Sequence, residues 1–435
     1  SMLIVIVYTF TGCAIWSGNI DALLSPPKLS NQEEAIYQAL TSSLDGKISL
    51  KYPKTGEYLS AFIVANLDDE PSDEAMVFYE KTGFTADETS LRINILDQKD
   101  GRWTSVFDRV ADGSEVETVY ISKLGMSDVI SIIVGYSMLQ GEKQFDIYTY
   151  DSINYTLVET LTDNYSLINV EDVDNDGYNE LFTVTGNTAS SYAEAKLLKL
   201  DENGQYIRTR VAMDSNTTDY IQCLYGNSDE VTSKVIFVDS LIATGMIETE
   251  ILQVHDNDQI LENTSVLDTM SVSDTIRPSG YTSCDIDGDG SIEVPVVTTF
   301  TGYESLSDTE QLKMTNWLTY QNQELMVKYS GYYSINDGYF FALPERWKGH
   351  VTVKLDTTKN DVVFYEYDGD VSSSTTELLR LTVTDENDYT ILKKQGYQLM
   401  RSNNSNYYLA KVSKNTNSNL EVSIAEVLFN LKFKA

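Results

Sequence analysis

The chain has 435 residues with 66 acidic and 31 basic side chains, which gives a formal net charge of −35. Because nucleic acids and anionic membrane surfaces both attract basic patches, this charge argues against both as partners. Two histidines and three cysteines are too few for multi-histidine zinc sites, histidine-based triads or a disulfide framework. With 42% hydrophobic residues, the chain has enough apolar material to fold around a core.

The N-terminal residues predict a lipid anchor. An apolar run at residues 3–10 precedes Thr11, Gly12 and Cys13, the order at which bacterial lipoprotein signals are cleaved and lipidated. This run is far shorter than the ~20 residues of a spanning helix, so membrane attachment is expected only through lipid at Cys13. The alternative is a buried first strand with a core cysteine, and the lack of a basic residue before Cys13 favours it. Residues 1–29 are expected to be signal remnant and tether.

A short helix follows the tether. Ser30 and Glu33 have the spacing of a capping box, in which each residue binds the other's backbone amide. Apolar residues then recur at helical spacing, including Ile36 and Leu40. The sequence therefore predicts a helix over residues 32–43.

Acidic loops recur along the following 300 or so residues. Segments 172–181 and 285–294 both read D-x-D-x-D-G-x-x-E followed by an apolar residue. Decayed copies begin at residues 66, 123 and 226. Successive copies therefore start roughly 50 to 60 residues apart, a period typical of tandem structural repeats.

Each copy is followed by a second signal, a pair of alternating apolar strands joined by a polar turn. The five pairs are INILDQKDGRW at 93, IYTYDSINYTL at 147, LLKLDENGQYI at 197, ILQVHDNDQIL at 251 and WLTYQNQELMV at 317. Tandem units of about four short strands are typical of a β-propeller, in which radial closure protects the strand edges. The hairpin-like run at 48–67 is expected to complete the last blade.

The acidic loop at the head of a four-stranded repeat resembles that of FG-GAP and VCBS-type propellers, whose blades carry a D-x-D-x-D-G-x-x-[DE] loop. The resemblance covers residues 48–330. It implies a mainly β fold, with a β-propeller of about five to seven four-stranded blades over residues 30–335.

The two well-preserved loops predict structural Ca²⁺ sites, because alternate carboxylates of a tight loop converge and hard oxygen ligands suit this ion. The predicted ligands are Asp172, Asp174, Asp176, the Tyr178 carbonyl and Glu180 in the first loop, and Asp285, Asp287, Asp289, the Ser291 carbonyl and Glu293 in the second. An EF-hand would need Glu at position twelve, where Thr183 and Val296 stand. The alternative is an acidic turn that ends a hairpin without metal.

After residue 335 the repeat stops, and residues 336–435 predict a small α+β domain. Apolar alternation at 351–355, 361–367, 377–383 and 406–412 predicts strands, and the helical spacing of apolar residues from Leu420 to Leu431 predicts a last helix. The cluster that contains Trp347 is either a ligand platform or a packed strand end, and the second interpretation is favoured.

The sequence contains no nucleophile elbow, phosphate-binding loop, dinucleotide fingerprint or zinc-protease motif. From the lipobox-like residues and the acidic loops, we expect a secreted, lipid-anchored, monomeric cell-surface protein that is stabilised by Ca²⁺. Its expected function is non-catalytic binding or adhesion to a protein or carbohydrate ligand at the cell envelope. The alternatives are a propeller-fold carbohydrate-active enzyme, a glycosidase or lyase that uses central carboxylates, and a purely structural envelope component.

Overall fold

The computed structural model describes residues 29–82, 90–189, 191–227, 233–255, 260–266, 271–403, 405–414 and 419–433. Cys13 and the predicted lipoprotein signal lie outside these ranges, as does part of the loop that starts at residue 226. Within the described ranges, no helix has the length and apolar character needed to cross a membrane.

The first of two compact units contains the described residues up to Pro53, together with Leu59–Asn66 and Glu70–Asp112. It begins with α1 (Asn31–Ser42), and the predicted capping box is confirmed. The Ser30 amide donates to Glu33 Oε2 at 2.8 Å, and the Glu33 amide donates to Ser30 Oγ at 3.2 Å. Ile36 and Leu40 are fully buried on the inner face of α1.

The sheet of this unit contains five strands, β1 (Lys47–Lys51), β2 (Phe62–Ala65), β3 (Glu74–Thr82), β4 (Arg92–Lys99) and β5 (Arg102–Val110). Both β1 and β2 pair with the same edge of β3. The prediction that residues 48–67 complete the last blade is therefore wrong. Their apolar side chains, such as Leu50 and Phe62, pack instead in the core of the first unit.

The second unit contains Lys54–Tyr58, Leu67–Asp69 and the chain from Gly113 onward. Its described strands form five more antiparallel sheets. The second sheet has β6 (Glu115–Lys123), β7 (Ile130–Ser137), β8 (Lys143–Asp151) and β9 (Thr156–Asn164). The third has β10 (Leu167–Glu171), β11 (Glu180–Thr185), β12 (Glu194–Leu200) and β13 (Tyr206–Ala212). The fourth has β14 (Thr217–Gly226), β15 (Val235–Ile242), β16 (Met246–His255), β17 (Ile260–Asn263) and β18 (Arg277–Pro278).

The region after residue 335 contributes to two sheets. The fifth sheet has β19 (Glu293–Thr299), β20 (Lys313–Gln321), β21 (Glu324–Ser334), β22 (Tyr339–Ala342) and the C-terminal β28 (Leu431–Phe433). The sixth has β23 (Val351–Asp356), β24 (Asp361–Glu366), β25 (Glu377–Thr384), β26 (Gln398–Ser402) and β27 (Tyr407–Val412). The helices here are α2 (Glu386–Lys394) and α3 (Ile424–Asn430), and 3₁₀ turns occur at Thr264–Val266, Val272–Thr275 and Glu345–Trp347.

Consecutive sheets of the second unit share apolar cores. The pairs of residues in common clusters are Ile133 and Leu198, Phe182 and Val238, Phe237 and Val294, and Phe341 and Phe364. The mainly β fold and its series of four- and five-stranded antiparallel sheets confirm the predicted fold class, a mainly β protein with a β-propeller, and the C-terminal part adds a small helical region.

The acidic repeat has the same place relative to the predicted hairpin in each of five sheets, because the five copies lead directly into β3, β7, β11, β15 and β19, the strands that precede the hairpins. The strand pairs of the five predicted hairpins are also confirmed, since β4 pairs with β5, β8 with β9, β12 with β13, β16 with β17 and β20 with β21. This recurrence places the two best-preserved acidic loops at equivalent positions of the third and fifth sheets.

Trp347 is a packed residue. It is fully buried, and its indole Nε1 donates to the Leu420 carbonyl at 2.7 Å. Its ring lies 6.0 Å from that of Phe341 and 5.6 Å from that of Phe364. The interpretation of this cluster as a packed strand end is therefore confirmed.

Candidate metal centres

The first acidic loop is organised by its first carboxylate. Asp172 Oδ1 accepts the amide of Asp176 at 3.2 Å, and Asp172 Oδ2 accepts the amide of Gly177 at 3.0 Å. The chain turns sharply there, with Gly177 at a φ of 91°, which glycine adopts without the steric cost of a side chain. The glycine at the sixth position of the motif is thus required by the turn.

The second loop folds in the same way. Asp285 Oδ1 accepts the amides of Gly288 and Asp289 at 2.6 and 3.2 Å, and Asp285 Oδ2 accepts the amide of Gly290 at 2.8 Å. Gly290 stands at the sixth position, with a φ of 88°. The shared sequence pattern therefore gives a shared backbone path.

The glutamates at the ninth position are the buried acids of the two loops. Glu180 and Glu293 are fully buried, and their Oε2 atoms accept the amides of Val173 and Ile286, each at 3.0 Å. Burial raises the pKa of Glu180 to about 8 and that of Glu293 to about 7. The amide and the lysine near each carboxylate therefore do not fully offset the cost of burying its charge.

The carboxylates converge at the dimensions of a Ca²⁺ shell. One ligand oxygen from each of Asp172, Asp174 and Glu180 lies within 4.8 Å of the others, and the same holds for Asp285, Asp287 and Asp289. Oxygens that bind Ca²⁺ at ~2.3–2.6 Å lie at most about 5 Å apart. Each group is therefore compact enough to surround one ion of its own.

A lysine reaches into the first group from β12. Lys199 Nζ lies 2.7 Å from Asp174 Oδ2, but 3.8 Å from Asp176 and 3.9 Å from Glu180. One ammonium therefore lies near three of the four acids of this loop and contacts one of them closely. A cavity of about 20 Å³ beside Asp174 and Lys199 has room for about one water molecule.

A second lysine, on β21, has closer contacts. Lys328 Nζ lies 2.9 Å from Asp287, 2.6 Å from Asp289 and 2.8 Å from Glu293. Burial lowers the pKa of Lys328, but the hydrogen bonds to these acids outweigh burial and raise the pKa above its usual value. The Tyr329 hydroxyl also donates to Asp287 Oδ2 at 2.7 Å. In this loop the ammonium stands among the oxygens that a metal ion would bind.

Each loop also contains one buried carboxylate oxygen that needs a partner. Glu180 Oε1 and Asp287 Oδ1 are enclosed, and no hydrogen bond to either is formed by the described residues. A buried carboxylate oxygen without a hydrogen bond is costly, and a coordinated cation removes that cost. Together with the hard oxygen donors, these two atoms show that the residues present fit Ca²⁺.

The remaining predicted ligands stand at the loop edges. The amides of Tyr178 and Ser291 donate to Asp176 Oδ1 and Asp289 Oδ1 at 2.9 and 2.8 Å. Burial raises the pKa of Asp176, and repulsion from the nearby Asp174 raises it further. Burial acts in the same direction at Asp289, but the hydrogen bonds from Lys328 and Ser291 outweigh it and lower the pKa.

The sequence did not reveal the lysines. Lys199 and Lys328 belong to hairpin strands that follow each loop, and they reach the acids across the sheet. A lysine within an apolar strand segment, as in LLKL and MVKY, was the available sequence signal for these two residues. Such a lysine stands out because the chain has few basic residues for its many acids.

No family model matches the chain, and no curated protein sequence matches it. Among solved structures, the chain is similar to the periplasmic gluconolactonase PpgL of Pseudomonas aeruginosa. The TM-score is 0.32 and the sequence identity 11%, over 76% of this chain and 88% of the gluconolactonase. Similarity at this level adds no argument, so the fold rests on the strand pairing and the site on its geometry.

Proposed function

We propose that this protein is a Ca²⁺-stabilised, non-catalytic binding protein of the bacterial cell surface, with an FG-GAP-like propeller as its binding body. The observation that carries the proposal is the pair of equivalent loops in which three carboxylates converge and a buried oxygen lacks a hydrogen bond. Its ligand is a protein or a carbohydrate of the envelope.

The proposed role of the ion is structural. Each loop holds four acids against one lysine, so repulsion between carboxylates opposes the turn when no divalent ion is bound. Each loop also leads directly into a strand, the inner strand β11 or the edge strand β19, so an ion there would fix the start of that strand. At 1 mM Ca²⁺ and a dissociation constant of ~0.1 mM, each site would add about 1.4 kcal/mol to the free energy of unfolding.

The loop acids themselves favour binding over catalysis. Glu180 and Glu293 each accept a hydrogen bond from a backbone amide and lie near a lysine, so both already take part in contacts that shape the loop. A general acid or base must instead reach a substrate proton across an open cleft. The raised pKa values are thus explained by burial at a structural loop.

The proposed location rests on the lipobox-like residues that end at Cys13, and it has its own test. Cells expressing the full-length precursor are labelled with a palmitate analogue and fractionated. Label on the wild-type protein in the membrane fraction, absent from a Cys13→Ser variant, supports the anchor. Equal distribution of both proteins in the soluble fraction contradicts it.

The proposed function is tested with the full chain in 1 mM Ca²⁺, on arrays of envelope oligosaccharides and peptides. The expected result is retention of a defined ligand that is recovered chemically intact after prolonged incubation. Hydrolysis or elimination of the retained ligand would instead establish the enzyme alternative, and retention of nothing would contradict the binding role.

A further inference from the structure

A polar groove opens on the second unit, away from the acidic loops. It has a volume of about 260 Å³ and lies among the β7–β8 turn, the β9–β10 connection and the β11–β12 loop. Its lining includes Glu142, Tyr165, Ser166, Asn187, Thr188 and Asp219. The first acidic loop precedes β11 and the groove follows it, so the two features lie at opposite ends of this strand.

The walls of the groove are held in place. Asn187 Nδ2 donates to the Ser215 carbonyl at 2.7 Å, and its Oδ1 accepts the Ala193 amide at 2.9 Å, so both ends of the β11–β12 loop are fixed. Tyr165 is packed edge-on against Phe145, with ring centroids 6.2 Å apart. A fixed wall reduces the ordering cost of binding a ligand.

Two carboxylates in the groove keep capacity for a ligand. Asp219 Oδ1 accepts the amide of Tyr220 at 2.8 Å, and nothing else in the described part of the chain hydrogen-bonds to this carboxylate. Glu142 is exposed, and the described residues offer its side chain no ion pair. The hydroxyls of Ser166 and Thr188 are already hydrogen-bonded within the wall, so the two carboxylates are the principal acceptors of the groove.

The loops of the groove also carry exposed apolar side chains. Leu139, on the β7–β8 turn, is 94% exposed, and Tyr192, on the β11–β12 loop, is 87% exposed. Exposed aromatic rings offer an apolar face and a polar edge to a ligand that has both. Both side chains stand on loops that contribute other residues to the groove wall, Glu142 on the first and Asn187 on the second.

These features select the class of ligand. Glu142, Asp219 and the net charge of −35 disfavour an anion. Lys143 on the same wall offsets part of this negative charge, although it also lies 3.9 Å from Glu117. A neutral ligand with many hydroxyls matches the two carboxylate acceptors without adding a charge to the groove.

We propose that this groove is a saccharide-binding site for one or two sugar rings of a neutral glycan, with Glu142 and Asp219 accepting hydroxyl hydrogen bonds. The inference deepens the proposed function and rests on it. The groove is close to the lower limit of ~300–1,000 Å³ for small-molecule sites, which sets the ligand at this size.

The test uses the full chain on an array of neutral oligosaccharides, acidic oligosaccharides and basic peptides, followed by calorimetric titration with the neutral oligosaccharide retained. Asp219→Asn and Glu142→Gln are expected to weaken binding about tenfold each, because each replaces a charged acceptor by a weaker neutral one. Both residues lie on the surface, and the melting temperature confirms that the variants fold.

Asp128→Asn and Ile153→Ala are the matched controls, since both residues are exposed and neither lines the groove. They are expected to bind as the wild-type protein does. Unchanged binding in the groove variants overturns the site assignment but leaves the proposed function standing. Retention of basic peptides in place of glycans overturns the ligand class. Turnover of a bound glycan that depends on the groove refutes the non-catalytic function and keeps the site.

Discussion

Lys328 and Lys199 contact the same carboxylates that a metal ion would bind, so an ion must compete with them. The two lysines differ in the number of carboxylates that they contact. Lys328 contacts three carboxylates within 3 Å, whereas Lys199 contacts one. An ion that enters the second loop must displace three charge-assisted hydrogen bonds, which are the strong kind. The loop at Asp172–Glu180 is therefore expected to bind Ca²⁺ more tightly than the loop at Asp285–Glu293.

The first prediction follows from this difference. Lys328→Met should raise the Ca²⁺ affinity of the second loop by about tenfold or more, because the ion no longer competes with an ammonium. The measurement is equilibrium binding of ⁴⁵Ca²⁺ by the variant and the wild-type protein. Lys348→Met is the control, since among the described residues the ion-pair partner of this lysine is the exposed Glu345, at 2.7 Å. A weaker affinity in Lys328→Met contradicts the prediction and identifies the lysine as part of the site.

A second residue-scale prediction concerns Glu250 of the fourth sheet. It is 1% exposed, its Oε1 accepts the Asp214 amide and Asn263 Nδ2 at 2.9 and 2.7 Å, and burial raises its pKa to about 7. The native state then binds more protons than the unfolded state between pH 4.5 and 7. This contribution to stability is full below pH 4.5 and is lost as the pH rises through 7.

Glu250→Gln keeps the Oε1 acceptor and removes the titration. We expect it to stabilise the protein at pH 8 by an amount on the order of 3 kcal/mol and to have little effect at pH 5. Melting curves at the two pH values check this, with the exposed Glu202→Gln as the control. Equal shifts at both pH values would show that Glu250 is ionised throughout the range.

At the scale of elements, a buried ion pair holds the short strand β18 to the rest of the fourth sheet. Arg277 on β18 and Asp239 on β15 are both fully buried, with Nη2 and Oδ1 2.9 Å apart. Arg277 also donates to the carbonyls of Tyr281 and Thr275 at 2.6 and 2.9 Å. A buried pair of this kind is costly to break, because the remaining charge stays in the core.

The third prediction is that Asp239→Asn lowers the free energy of unfolding by about 3–5 kcal/mol. Asp308→Asn is the control, since it breaks a contact of 2.6 Å with Lys313 in which the aspartate is 89% exposed. This change should cost less than about 1 kcal/mol. Chemical denaturation of both variants provides the comparison. A similar small loss in the two variants would show that the buried pair adds little.

Elements built from contacts between near neighbours were predictable from the sequence. The capping box at Ser30 and the five hairpins needed only residues a few positions apart. Pairings across long sequence distances were not, because they depend on which sheet edge is open. The pairing of β28 with β22 and the addition of β1 and β2 to the first sheet are of this kind. The helix at Glu386–Lys394 was also missed, since no residue of it is buried and it carries no apolar stripe.

The candidate sites show the same limit. The loop acids could be named because each loop is one continuous segment, as Asp172–Glu180 illustrates. Lys199, Lys328 and the groove around Asp219 could not, since strands and loops distant in sequence bring them together.

At the scale of the whole molecule, the two loops couple metal binding to folding. Because an ion that binds only the folded chain stabilises it by mass action, Ca²⁺ should raise the melting temperature and excess EGTA should lower it. The Glu180→Gln, Glu293→Gln double variant should lose most of this response. A response to Mg²⁺ equal to that to Ca²⁺ would contradict a site built from a flexible set of carboxylates.

The most direct test of the account is calorimetric titration of Ca²⁺ into the metal-free full chain, with Glu180→Gln and Glu293→Gln titrated in parallel. The account predicts two binding events in the wild-type protein, the tighter one lost in Glu180→Gln and the weaker one lost in Glu293→Gln. Absence of binding up to ~10 mM Ca²⁺, well above the usual range for extracellular modules, would show that the lysines alone neutralise the loops.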